Sequence, residues 1–275
     1  MSAGGWTTIR VRDFTDRASV IQALFEAGAE GVEERATEVL TSLRHPDLEA
    51  LRRSLSRADA AAMLHAEPTP DVDWSAAWKD RILAHDLGAL VVTPPWLADQ
   101  YDPSRTVIID PGMAFGTGEH ETTRGVMRLM QGMIRAGDVV ADLGAGSAVL
   151  AIAAAKLGAA RVAAIELDPD AIGNAEENVV RNGVERSVSV IEGDAGALLS
   201  LVAPVRVVLA NIISSVLVTL LPTIRESLTT DGQAILSGIL AEERPVIEAA
   251  LRAGGWRVVA DDAEGIWWSV AIAPG

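Results

Sequence analysis

The stretch that most limits what this chain can fold into runs from Val139 to Asp168, VVADLGAGSAVLAIAAAKLGAARVAAIELD. It opens with a short apolar strand, Val139 to Leu143, and passes through a glycine turn, Gly144-Ala145-Gly146-Ser147. A helix follows, with apolar residues at Leu150, Ala151, Ala154 and Leu157, and it stops at Gly158, where a C-cap glycine belongs. A second apolar strand, Arg161 to Leu167, carries Glu166 near its end. Strand, turn, helix and strand make a βαβ unit, whose hand requires parallel strands. The glycines let a ligand approach the backbone and the helix N-terminus. Glu166, one strand over, could accept two hydrogen bonds from a ribose diol. The expectation is a nucleoside-binding crevice at the head of a parallel sheet.

The dinucleotide fingerprint needs a third Gly or Ala three residues after the second glycine, and Val149 stands there. A nucleotide-dependent oxidoreductase is therefore disfavoured. The pattern acidic-x-Gly-x-Gly-x-Gly of class I S-adenosylmethionine methyltransferases fits better, as Asp142, Gly144 and Gly146, with Ala148 in place of the last glycine. The competing reading is a turn that uses its glycines only to bend.

Composition narrows the classes. There is no cysteine, so disulfides, thiol chemistry and thiolate-held zinc are out. The four histidines are scattered, and the His120-Glu121 start of a metalloprotease helix has Arg124 where the second His is needed. No metal is expected. A net charge of −15 repels phosphate backbones, which disfavours direct nucleic-acid binding and would steer in a basic protein partner. The N-terminus MSAGGWTT has no basic region or apolar run, and charges interrupt the apolar stretches too early for a membrane span. A cytoplasmic protein is expected, with a monomer favoured and the oligomeric state left undecided.

Three segments are expected. Residues 1–66 read as a small α+β unit in the order βαββαβ, a ferredoxin-like sandwich for substrate recognition. Its elements are Trp6 to Val11, a helix over Arg17 to Ala27, strands over Gly31 to Ala36 and Glu38 to Leu43, a helix over His45 to Leu55, and a strand over Ala60 to Ala66; a purely structural extension is the alternative to a recognition role. Residues 67–86 are a linker, Glu67-Pro68-Thr69-Pro70, and a helix over Asp71 to Ala84 with Trp74 and Trp78 on one face. Residues 87–275 alternate strand and helix as a mostly parallel Rossmann-like α/β sheet. An antiparallel edge closes it, from Trp256 to Ala260 and Ile266 to Ile272.

A second glycine constellation reads DPGMAFGTGEHETTR from Asp110 to Arg124. A turn feeding a helix N-terminus, with hydroxyls at Thr117, Thr122 and Thr123, suits a carboxylate such as the methionyl end of S-adenosylmethionine. Thr122 or Thr123 acting only as an N-cap is the equal alternative. Asp194, after the strand Ser187 to Glu192, is placed near the adenine by its position.

Together, FGTGEHETT, DLGAGSAVLAIAAAKLGA, IELDPDAI and LANI resemble the methyltransferases of ribosomal protein L-eleven, the PrmA type. Asp73-Trp74 to Trp78, RNGV at Arg181 to Val184, and LSGIL at Leu236 to Leu240 fit the same family. The resemblance implies S-adenosylmethionine as cofactor, bound at Thr123, Gly144, Glu166 and Asn211. It also implies methylation of amines, lysine side chains or an N-terminal amine, on a basic ribosomal protein. Gly146 and Thr117 complete the expected cofactor set, and Asn211 is the candidate that accepts the amine's hydrogens. Another protein or a small amine is the alternative acceptor. Two departures stand out: Ala148 for a glycine, and Glu166 where the family often has Asp.

Overall fold

The computed structural model describes residues 6–29, 31–35, 37–68, 82–110 and 118–275. The chain divides into two compact units, Met1–Arg81 and Ile82–Gly275. Residues 71–81 of the expected linker helix, with Trp74 and Trp78, lie outside the described residues, and 82–84 are not helical.

In the first unit, β1 (Trp6–Arg12), α1 (Arg17–Glu26), β2 (Glu33–Glu34), β3 (Glu38–Arg44), α2 (Leu48–Ala58) and β4 (Met63–Pro68) follow in the order read from the sequence. The strands form one antiparallel sheet in the order β2-β3-β1-β4. Alternation in β1 and β3 sends Ile9, Val11, Val39 and Leu43 to one face, where they meet Val20 and Leu24 of α1 and Leu51 and Leu55 of α2. Several boundaries differ from expectation, among them the last strand, expected over Ala60 to Ala66 and found at Met63–Pro68. The strand expected over Gly31 to Ala36 pairs only at Glu33 and Glu34. The helix expected from His45 starts at Leu48, because Asp47 caps it and His45 sits at φ 49, outside helical space.

The second unit opens with a small sheet of β5 (His85–Asp86), β6 (Val91–Thr93) and β7 (Thr106–Ile108), with a 3₁₀ turn over Pro95–Gln100 between the last two. Next comes α3 (Glu121–Gln131). The main alternation is β8 (Val139–Leu143), α4 (Val149–Lys156), β9 (Arg161–Glu166), α5 (Pro169–Arg181), β10 (Val188–Glu192), α6 (Ala195–Val202), β11 (Val205–Asn211), α7 (Ser214–Ser227), β12 (Leu228–Leu240), α8 (Arg244–Ala253), β13 (Trp256–Glu264) and β14 (Trp267–Pro274). The seven-stranded sheet runs β10-β9-β8-β11-β12-β14-β13. The first five strands are parallel, and β14 is antiparallel to both its neighbours. This is the expected mostly parallel α/β sheet with an antiparallel edge.

Both faces of the sheet are covered, so its central strands are apolar throughout rather than alternating. Val140, Val162, Val207 and Leu209 join α3 and α4 in one core. Ala141, Leu143, Ile165, Val208 and Ala210 join α7 and α8 in the other. At the N-terminal ends of β8 and β11, Arg206 pairs with Asp138 (Nε–Oδ1 2.5 Å), both buried, and also donates to the Met133 carbonyl. The chain enters the sheet at β8, runs outward through β9 and β10, then restarts at β11 on the other side. The strand order therefore reverses between β8 and β11. In open α/β sheets the crevice at the carboxyl ends of that pair is the place for a ligand.

Candidate active site

A cavity of about 550 Å³ opens at that point. Its walls come from the residues that end β8, β9 and β11 and from the turns that follow them: Gly144, Glu166, Leu167, Asn211 and Ile212, with Asp194 beyond β10. His120 and Thr122 from the start of α3, Gly238 of β12 and Trp267 of β14 complete the lining.

The glycine turn adopts left-handed backbone at Gly144 (φ +70) and Gly146 (φ +53). At Gly144 space is short as well, since a Cβ there would come within 2.5 Å of Ile212 Cγ2. Ala148 also sits at φ +63. The position that has glycine in the related pattern thus keeps glycine's conformation, at a cost of roughly 1–2 kcal/mol for an L-residue.

Glu166 is held from both sides. Gly146 N–H donates to its Oε2 (2.7 Å) and Asp168 N–H to its Oε1 (2.8 Å). Each oxygen keeps a lone pair, so the carboxylate remains able to accept two further donors. Asp142, at the end of β8, is fully buried. Its Oδ2 accepts the Ala151 N–H (3.0 Å), and its Oδ1 has no hydrogen-bond partner among the described residues. Burial pushes its carboxyl up to about 7; the Ala151 N–H opposes that shift and the Glu166 charge adds to it.

Asn211 ends β11, and its Nδ2 donates to Thr123 Oγ1 (3.3 Å). Thr123 itself is wholly buried in α3 and reaches the cavity only through Asn211; Thr122 is the threonine on the wall. Neither threonine caps the helix. That role falls to His120, whose Nδ1 faces the Thr122 N–H (3.3 Å) and hydroxyl (2.8 Å). The His120 ring meets Trp267 edge to face at 5.0 Å. α3 lies close over the sheet because Gly125 has no side chain: a Cβ would come within 2.5 Å of Ser269 Oγ. Asp194 lines the cavity and caps α6 by accepting the Ala197 N–H (2.9 Å). Gly146 is not on the wall and acts through Glu166, while Thr117 lies outside the described residues.

Sequence reasoning missed the apolar walls. Leu167, Ile213 and Val216 line the cavity and are exposed, and Trp267 arrives from β14, beyond β12 in the sheet. A signal for the first two was present: each follows a polar residue that ends a buried strand, in Glu166-Leu167 and Asn211-Ile212-Ile213. Among the described residues no group of three His, Asp or Glu could hold a metal ion, and no helix is long and apolar enough to cross a membrane.

A family model described as ribosomal protein L11 methyltransferase (PrmA) matches residues 6–273. The chain belongs to this family. The L11 methyltransferase of Thermus thermophilus is 36% identical over 248 residues, covering 90% of this chain and 91% of that protein. The L11 methyltransferase of a Synechococcus strain is 37% identical over 218 residues, covering 78% and 72%. A crystal structure of the ribosomal protein L11 methylase from Lactobacillus delbrueckii subsp. bulgaricus superposes with a TM-score of 0.62 at 32% identity, covering 70% of this chain and 99% of that one. As a member of the L11 methyltransferase family the chain is a methyltransferase, and its Rossmann-like sheet is the fold it shares with that methylase.

Proposed function

We propose that the chain transfers methyl groups from S-adenosylmethionine to amino groups, on lysine side chains or an N-terminus, of ribosomal protein L11, in the cytoplasm. The observation that carries this reading is the two-ended cavity. At one end lies a carboxylate fixed by two backbone N–H groups, and at the other a side-chain amide tied to a helix.

The residues present fit the cofactor. The cavity volume is within the range of small-molecule sites. Gly144 is a place where added side-chain atoms would collide, so the backbone itself forms the wall. Glu166 retains acceptors for a diol, and Asp194 retains one for an exocyclic amine. Leu167 and Ile213 offer apolar faces to a flat base. When bound, S-adenosylmethionine supplies an electrophilic methyl group on a sulfonium.

The chain's own task is then positioning and exclusion of water, the main source of rate in an in-line displacement. A lysine amine has a pKa near 10.4, so holding it neutral at pH 7 costs roughly 4–5 kcal/mol, against about 1 kcal/mol for an α-amine. Apolar walls at Ile212, Ile213, Val216 and Trp267 desolvate the amine and disfavour its cation. Because Asn211 Nδ2 is turned to Thr123, its Oδ1 is the side-chain atom left to accept an amine hydrogen. His120 Nδ1 is engaged in the cap of α3. The acidic chain steers in a basic protein, and the first unit recognises it.

The test is Asn211→Ala. Calorimetry should show S-adenosylhomocysteine still binding, within about tenfold of wild type, while transfer of labelled methyl groups to purified L11 is nearly abolished. Unchanged turnover would remove Asn211 from the reaction.

A further inference from the structure

Asn178 is wholly buried on the inner face of α5, beside the buried Ala171, Ala175 and Val179. All four of its hydrogen-bonding directions are used. Its Oδ1 accepts the Asp110 N–H (3.0 Å) and Arg181 Nη1 (2.5 Å). Its Nδ2 donates to the Ser147 carbonyl (3.2 Å) and to Asn174 Oδ1 (3.3 Å). Ser147 belongs to the glycine turn, and Asp110 is the residue that follows Ile109 out of the small sheet. One amide therefore bridges two segments that are far apart in sequence.

Its neighbours on α5 complete the grip. Asn174 Nδ2 donates to the Asp110 carbonyl (3.4 Å), and Arg181 Nη2 pairs with the Asp110 carboxylate (3.2 Å). One turn on, Asn182 takes the Ile108 N–H on Oδ1 (2.8 Å) and returns Nδ2 to the Ile108 carbonyl (2.6 Å), as a neighbouring strand would. The backbone of Ile108 and Asp110 is thus paired by side chains of α5 on the side away from β6. None of these side chains lines the cavity.

We propose that Asn178 is a positioning residue for the cofactor: it fixes the glycine turn against α5 and the exit of β7, and so sets the aim of the Gly146 N–H that holds Glu166. This rests on the reading that the cavity binds S-adenosylmethionine. The chain of contacts is short. The Ser147 carbonyl is next to Gly146, the Gly146 N–H orients the Glu166 carboxylate, and Glu166 is on the wall.

The discriminating variant is Asn178→Asp. It keeps the acceptor for the Asp110 N–H and for Arg181, and it replaces the donor facing the Ser147 carbonyl with an acceptor. The anchor to Asp110 stays while the arm to the glycine turn is lost, and an acceptor now faces the Ser147 carbonyl. Calorimetry should show S-adenosylhomocysteine affinity falling by about tenfold or more. The KM for S-adenosylmethionine should rise in step, with kcat at saturation within about threefold of wild type. Hydrogen exchange should quicken at the amides of residues 144–147 and stay slow in β8 and β11. Arg181→Gln, at a half-buried position, leaves Asn178 on Ser147 and should leave the affinity within about twofold. It also serves as the folded comparison if Asn178→Asp is poorly expressed, with Asn178→Ser then carrying the affinity test. An Asn178 variant that loses thermal stability but binds S-adenosylhomocysteine as wild type does overturns the proposal. Wild-type protein that fails to bind it at all overturns the functional reading instead.

Discussion

Replacing Asp142 with an asparagine removes a charge that the fold has to bury. The native carboxyl is raised from 3.8 to about 7, chiefly by burial. Between those values the native state holds a proton that the unfolded chain has released. Stability therefore falls as pH rises through this window and levels off above it. At about 1.4 kcal/mol per unit, the full cost of ionising the group is about 4 kcal/mol, and about half of it develops between roughly pH 5.5 and pH 8. The substituted amide would have the same shape, keep an acceptor for the Ala151 N–H, and carry no charge at any pH. The assay is urea unfolding of the cofactor-free protein at both pH values and constant ionic strength. Asp142→Asn should gain about 2 kcal/mol relative to wild type on going from the lower pH to the higher. A difference between the two proteins that is the same at both pH values would refute the reasoning, because it would mean that Asp142 does not titrate in this range.

Two further outcomes follow from other parts of the second unit. Asp138→Ala leaves the buried Arg206 guanidinium without its carboxylate and should cost about 3–5 kcal/mol in urea unfolding. Because the pair lies at the N-terminal ends of the strands, affinity for S-adenosylhomocysteine should hardly change; a loss below about 1 kcal/mol would count against a paired buried charge. Gly144→Ala forces a methyl group toward Ile212 Cγ2 at a position with φ +70. It should weaken S-adenosylhomocysteine by more than about tenfold in calorimetry with the circular dichroism of the sheet retained, and wild-type affinity would show that the turn can yield.

The alternation from β8 to β9 was readable because its periods are clean: an apolar strand, a glycine turn, a helix and a second apolar strand with no competing signal. α6 was not read. Its eight residues, AGALLSLV, contain Gly196 and have no polar face, and the helix is secured by the Asp194 cap. β12 was expected only from Gln233 to Ser237. It runs from Leu228 to Leu240, but its pairing with β11 skips from Leu228 to Gln233 and its pairing with β14 begins at Ala234, so the turn residues Asp231-Gly232 sit in an irregularity inside the strand. Within the site, residues that end strands were visible because a polar residue after an apolar run is conspicuous. The His120 cap was harder to see beside two threonines that are better capping types. Asn174, Asn178 and Asn182 recur every fourth residue, which on a helix reads as a wetted stripe. Their partners at Ile108 and Asp110 lie 64 to 74 residues away, and nothing local announces them.

The placement of β14 has a consequence for how the molecule is made. Synthesis delivers this strand after β12 and β13, yet in the finished sheet it lies between them. Until it arrives, the apolar edge of β12 has no antiparallel neighbour, and the sheet ends in an open ladder that can pair with other chains. Trp267, on the same strand, is the last piece of the cavity wall to emerge. The cavity thus lacks its Trp267 wall until β14 inserts, and quick insertion limits self-association of the nascent chain.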